Sequence, residues 1–166
     1  MGANLSLIFS DKHKDPDGFD VHQIRCSYYS ALGCDDDAYI AARAIQLFTP
    51  GIPQIYYVGL LAGENDYKGV EASKEGREIN RHNFTIDEIS QCVGKPVVQR
   101  LIRLIKFRNE NPAFEGKFSV SSPSEKEIKL SWNNGGDFCS VLINMSDYSS
   151  QVECSSEGSI KESFKA

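Results

Sequence analysis

Two stretches concentrate side chains capable of chemistry. "DGFDVHQIRCSYYSALG", Asp17 to Gly33, mixes carboxylate, imidazole, amide, guanidinium, thiol and phenol groups with no clean alternation. "GREINRH", Gly76 to His82, sets Arg77, Arg81 and His82 close together. A guanidinium presents a rigid fork of donors that suits vicinal hydroxyls or a carboxylate. Arg77 therefore reads two ways, as a grip on hydroxyls or as a salt bridge to an acidic neighbour. Arg81 and His82 read as residues that hold their loop.

Other candidates read as structural. Asp35-Asp36-Asp37 suits the positive end of a helix dipole better than a metal. Glu64-Asn65-Asp66 resembles a fragment of a calcium loop, without the rest of that spacing. Tyr28-Tyr29 and Tyr56-Tyr57 read as packing residues with polar tips, and His13 as a bystander in a polar loop. The five cysteines, Cys26, Cys34, Cys92, Cys139 and Cys154, are odd in number and form no CxxC pair. That argues against a zinc site or a disulfide framework and for reduced, core-filling thiols. No metal and no cofactor is expected.

These residues need elements to hold them. The chain has 166 residues, 40% hydrophobic and 25% charged, in the range of globular proteins. A net charge of −5 argues against a nucleic-acid partner. No run is long enough for a membrane span. The N-terminus lacks a basic region and a long apolar run, so no secretory signal is expected. Gly2 with Ser6 fits a short myristoylation pattern that often matches by accident.

The apolar stripe Ile40, Ala41, Ala44, Ile45 and Phe48 predicts a helix after the three aspartates, ended by Pro50-Gly51. Ile55 to Val58 reads as a buried parallel strand. Residues 60–83 lack clean periodicity, and long loops of that kind are often functional. Thr85 to Glu88 is a capping box that predicts a short helix from Ile86. Pro96 opens another, ending near Asn109 to Pro112. From Gly116 the period becomes two, which predicts three short antiparallel strands, with turns at Ser121–Glu125 and Asn133–Asp137. The pattern divides the chain into 1–114 and 115–166. A lone parallel strand has no sheet, so residues 1–112 are expected to be an incomplete α/β domain.

On these residues the chain resembles a known family. "YYSALGCDDDAYIAARAIQLFTPGIPQIYYVGLLAGEND", "KEGREINRHNFT" and "KPVVQRLIRLIKFRN" are similar to segments of sucrose phosphorylases, the branch of the α-amylase family that acts on sucrose. The likeness runs from about Phe19 to Phe118, and the last fifty residues match only in type. The resemblance implies an α/β fold: the C-terminal part of a (β/α)8 TIM barrel followed by a small antiparallel β domain. Tyr28–Phe48 would be the seventh helix and its approach, Ile52–Val58 the eighth strand, and Pro96–Asn109 part of the eighth helix layer. Loops 1–33 and 60–83 would then face the active site, at the C-terminal ends of the strands.

The family's retaining chemistry uses two carboxylates and a covalent glucosyl intermediate. Phosphate then takes the glucosyl unit, giving glucose 1-phosphate. The family's nucleophile, acid/base and third carboxylate fall upstream of this sequence, so no catalytic residue is expected in it and the chain alone is expected to be inactive. By the same resemblance Arg77 would bind the glucosyl ring, and Asp20, His22 and Gln23 would form the acceptor loop. That loop usually reads Asp-Leu-Tyr-Gln; Val21 and His22 depart from it. An imidazole can donate two hydrogen bonds and carry charge beside a phosphate, which suits sucrose 6-phosphate; plain sucrose and glucosylglycerate stay open. Implied partners are a sugar and inorganic phosphate, in the cytoplasm, with a homodimer open and neither nucleic acid nor membrane. A non-catalytic truncated product or a stand-alone binding module is the alternative.

Overall fold

The computed structural model describes residues 25–156 and 159–166. Gly2, Ser6, His13, Asp20, His22 and Gln23 lie outside the described residues. The chain packs as two units, one of residues up to 35 with Ile55–Lys95, the other of Asp36–Gln54 with Pro96–Ala166. This grouping joins two helices to the C-terminal sheet and so cuts across the sequence division at 114/115.

The second unit is built on helices α2, Asp36–Phe48, and α6, Pro96–Glu110. Asp36 and Asp37 occupy the first turn of α2, where the helix dipole favours negative charge. Ile40, Ala41, Ala44 and Phe48 of the predicted stripe are buried, Ile45 is half-buried, and Tyr39 and Leu47 are buried beside them. Val97, Val98, Leu101, Leu104 and Phe107 bury one face of α6. Arg100 ties this unit together: its guanidinium reaches Asp37 at 2.6 Å and donates to the carbonyl of Ala166. Arg43, which is buried, donates to the Tyr39 hydroxyl and to Gln46, as a buried charge requires.

A five-stranded antiparallel meander completes this unit: β1 Lys117–Ser121, β2 Glu127–Asn134, β3 Asp137–Asn144, β4 Ser150–Ser156 and β5 Ser159–Lys165. The three strands expected over 117–146 are present, and β4 and β5 extend the sheet. Asn134 pairs with Asp137 around a tight turn in which Gly135 has φ 62°, a conformation that favours glycine. Gly116 precedes β1 where an added Cβ would collide with the Asn133 carbonyl. Phe48, Phe107, Phe114, Phe118, Trp132 and Phe164 form a continuous aromatic cluster between helices and sheet.

The first unit holds the short helices α1 Tyr28–Ala31, α3 Tyr57–Leu60, α4 Tyr67–Ser73 and α5 Ile86–Val93, with a 3-10 turn at Gly76–Asn80. Within residues 28–48 the helix proper is α2, and the segment leading into it carries the one-turn helix α1. The expected strand over Ile52–Val58 is not formed. Tyr56 is extended, yet Tyr57 begins α3, and a strand requires a hydrogen-bonded neighbour that none of the described residues supplies. Tyr28, Tyr56 and Tyr57 are partly exposed, so as packing residues they are only half covered. The helices before a small antiparallel sheet are nevertheless those of a partial barrel with its β domain. No described helix is long and apolar enough to cross a membrane.

Candidate functional site

The site that can be built from described residues lies in the first unit, around the segment from Gly63 to Lys95. Its organiser is Asp66. One carboxylate oxygen accepts from the Gly69 amide at 2.7 Å and caps α4. The other meets His82 Nδ1 at 2.6 Å. The Asp66 amide donates to Ile79 O, which seats the 3-10 turn that carries Arg77.

His82 is held from its other side as well. Its Nε2 lies 3.3 Å from Glu88 Oε1. Glu88 in turn accepts from the Thr85 amide at 2.7 Å, while Thr85 Oγ1 accepts from the Glu88 amide. This is the capping box read from the sequence, now linked to a histidine. Phe84 packs edge-on against the imidazole at 4.6 Å. The two carboxylates raise the pKa of His82, the Asp66 hydrogen bond most strongly. Asp66 is lowered, chiefly by the hydrogen bond from His82, and Glu88 chiefly by its bonds from Thr85. An imidazolium can donate from both nitrogens, one to each carboxylate, which a neutral ring cannot.

A cleft of about 270 Å³ opens beside this bridge, lined by Asn65, Asp66, His82, Phe84, Cys92 and Lys95 among others. Asn65 fastens the loop on the opposite side: it accepts from the Ser27 amide and its own amide donates to Ser30 Oγ. Asn80 donates to the Cys26 carbonyl. The segment from residue 26 onward and the loop after α3 are thus hydrogen-bonded to each other.

Arg77 stands on this frame. Gly76 and Ile79 are buried on either side of it, while its own side chain is 60% exposed. Glu75 and Glu78 lie 3.9 Å away, too far for a tight ion pair. The fork is therefore presented on an anchored turn and not consumed by its neighbours. The described residues bring Arg77, Asp66 and His82 into one segment. Asp20, His22 and Gln23 lie outside them.

The sequence reading missed the role of Asp66. In the sequence it belongs only to an incomplete calcium-loop pattern, and its partner His82 is 16 residues away. An aspartate followed three residues on by Gly69 is consistent with a cap, but no pattern announces the histidine. Among the described residues no group of His, Cys, Asp and Glu is arranged to hold a metal ion.

Helices leading into a small antiparallel sheet recur in a distant enzyme, cyclic α-maltosyl-(1→6)-maltose hydrolase from Arthrobacter globiformis. It superposes with a TM-score of 0.57 at 15% identity over 72% of this chain and 25% of its own. That likeness concerns the fold alone. A nearer structure is that of sucrose 6F-phosphate phosphorylase from Thermoanaerobacter thermosaccharolyticum, with a TM-score of 0.86 and 55% identity over 99% of this chain and 34% of its own. The chain thus has part of the fold of the α-amylase family.

Sequence narrows this to one branch. The chain is 60% identical over 152 residues to sucrose 6(F)-phosphate phosphorylase of Thermoanaerobacterium thermosaccharolyticum, 92% of this chain and 31% of that protein. It is 50% identical over 125 residues to glucosylglycerol phosphorylase of Marinobacter adhaerens, 75% of this chain and 26% of that protein. Against sucrose phosphorylase of Streptococcus mutans it is 43% identical over 156 residues, 92% of this chain and 32% of that protein. No protein-family model matches. The chain belongs to the sucrose-phosphorylase branch of the α-amylase family, and it spans about a third of the length of the curated relatives it matches.

Proposed function

We propose that this chain supplies one portion of a retaining α-glucosyl phosphorylase, which moves a glucosyl unit from a sucrose-type donor to inorganic phosphate. The observation that carries the reading is 60% identity across 92% of the chain to a sucrose 6(F)-phosphate phosphorylase. The donor is then sucrose 6-phosphate, and the products are glucose 1-phosphate and fructose 6-phosphate. The nucleophile, the acid/base and the third carboxylate come from sequence other than these 166 residues, so this polypeptide alone turns over no donor.

In this reading Arg77 grips hydroxyls of the glucosyl unit. Its exposed fork on a buried turn supports the role. Asp20, His22 and Gln23 shape the acceptor side, with His22 facing the fructosyl phosphate. Activity is cytoplasmic, where thiols such as those of the five cysteines stay reduced. A homodimer is compatible with this reading.

A different acceptor is the second reading, favoured by 50% identity to a glucosylglycerol phosphorylase. The test is kcat/KM of the full-length protein for sucrose 6-phosphate, sucrose, glucosylglycerol and glucosylglycerate, for parent and His22→Tyr. A charge-assisted hydrogen bond is worth roughly 1.5–3 kcal/mol, so the substitution should lower the preference for sucrose 6-phosphate over sucrose by about ten- to a hundred-fold. The preference of the parent should also fall as pH rises past the imidazole range, because the charge is lost. An unchanged ratio removes His22 from the acceptor site.

A further inference from the structure

Cys139 on β3 and Cys154 on β4 are direct cross-strand partners. The backbone shows which kind of pair they form. Asn144 N donates to Ser149 O, on the β4 side, and Met145 N donates to Lys126 O, on the β2 side. Alternate residues of a central strand bond to opposite neighbours. The register of β3 with β4 is unbroken from Asp137 to Ile143, so Cys139, like Met145, directs its backbone to β2. Cys139 and Cys154 therefore face each other at a non-hydrogen-bonded position, where Cα atoms approach to about 4.5 Å and side chains are closest. Disulfides accept Cα separations of roughly 4.4–6.8 Å.

Access differs between the two. Cys139 is fully buried, in line with Val141 and Ile143. Cys154 lines a cleft of about 340 Å³ together with Arg103, Lys106, Glu110 and Glu162. Cys154 is 8% exposed and lines the cleft, whereas Cys139 is 0% exposed and does not, so a small reagent in the cleft meets Cys154.

We propose that Cys139 and Cys154 form an oxidation site that closes to a disulfide when the folded protein meets a small-molecule disulfide. The Cys154 thiolate attacks one sulfur of the reagent, its S–S bond breaks, and one thiolate leaves and takes up a proton. Cys139 then loses its proton and attacks Sγ of Cys154, expelling the second thiolate. Two protein thiols are oxidised by two electrons, and the reagent is reduced to two thiols. Burial pushes Cys139 up to about 12. The second step is therefore slow at neutral pH and quickens about tenfold for each unit that the pH rises toward that value.

The experiment treats the full-length protein that carries this chain with oxidised glutathione, at neutral pH and about two units higher, where the thiolate fraction is larger. Met145 lies between the two cysteines, so cyanogen bromide cleavage separates them unless they are bonded. The expected result is that the Cys139 and Cys154 fragments remain joined until reductant is added, faster at the higher pH. Cys139→Ser should trap glutathione on Cys154, and Cys154→Ser should prevent the link. Exposed Cys34 reports that the reagent is active. Modified Cys34 with fragments that separate without reductant would overturn the proposal, as would a link formed only after unfolding.

Discussion

At the scale of residues, His82 holds two parts of the loop together by its charge. Its pKa is raised by Asp66 first and then Glu88. A raised folded-state value means that its contribution is fully present below the ordinary histidine value of 6.5 and is lost as pH rises through the folded value. The lowered carboxylates act in the opposite sense, contributing above their ordinary values of 3.8 and 4.5 and losing that contribution as pH falls through the folded ones. The bridge is strongest in the mildly acidic window between these limits. His82→Ala in the full-length protein should cost on the order of 1 kcal/mol there, a figure already discounted for partial exposure, and less in mild alkali. Denaturant titrations at the two pH values measure this; an equal loss at both would mean that the charge is irrelevant. Arg77→Ala should act differently. If Arg77 holds the glucosyl unit, kcat/KM should fall for every donor, whatever the leaving group, by about 2–4 kcal/mol in transition-state binding. Undiminished turnover of any donor would remove it from the site.

At the scale of elements, the join between α2 and the sheet is the contact whose removal should be felt most. Trp132 on β2 donates its indole N–H to Phe48 O at 2.7 Å, satisfying a helix-end carbonyl inside the aromatic cluster. Trp132→Phe keeps most of the packing and leaves that carbonyl unpaired, which should cost about 1–3 kcal/mol. A lowered denaturant midpoint with an unchanged slope is the expected reading; an unchanged midpoint would show that water replaces the indole. Elements with local signals were legible beforehand. Thr85 with Glu88 marks α5, Pro96 marks α6, and Asn134-Gly135 marks the hairpin. Helix α4 was not legible, because none of its residues is buried and it contains Gly69, so it has no apolar stripe to read. Strands β4 and β5 were hidden by serine and glutamate, residues that join the sheet because β3 offers an edge to β4 and β4 offers one to β5. The run Ile55 to Val58 shows the reverse case. Its composition favours a strand, but pairing is a property of two segments, and the second is not among the described residues. The site was legible only in part for the same reason. Arg77 stands out through its resemblance to the family, whereas the grip of Asp66 on His82 depends on the fold of the intervening residues.

At the scale of the whole molecule, the chain matches about a third of an enzyme, and several large apolar side chains are exposed on it. Ile52 is 92% exposed and Ile86 82%, with Tyr56 and Val120 also largely uncovered. The central claim is that this chain works as one portion of a retaining glucosyl phosphorylase. The measurement that tests it most directly is proton NMR of the full-length protein incubated with sucrose 6-phosphate and inorganic phosphate, with the 166-residue chain alone as control. The expected result is accumulation of the α-anomer of glucose 1-phosphate from the full-length protein and none from the control, because two successive displacements retain configuration. Appearance of the β-anomer, turnover by the isolated chain, or no glucose 1-phosphate from this donor, sucrose or glucosylglycerol would contradict it.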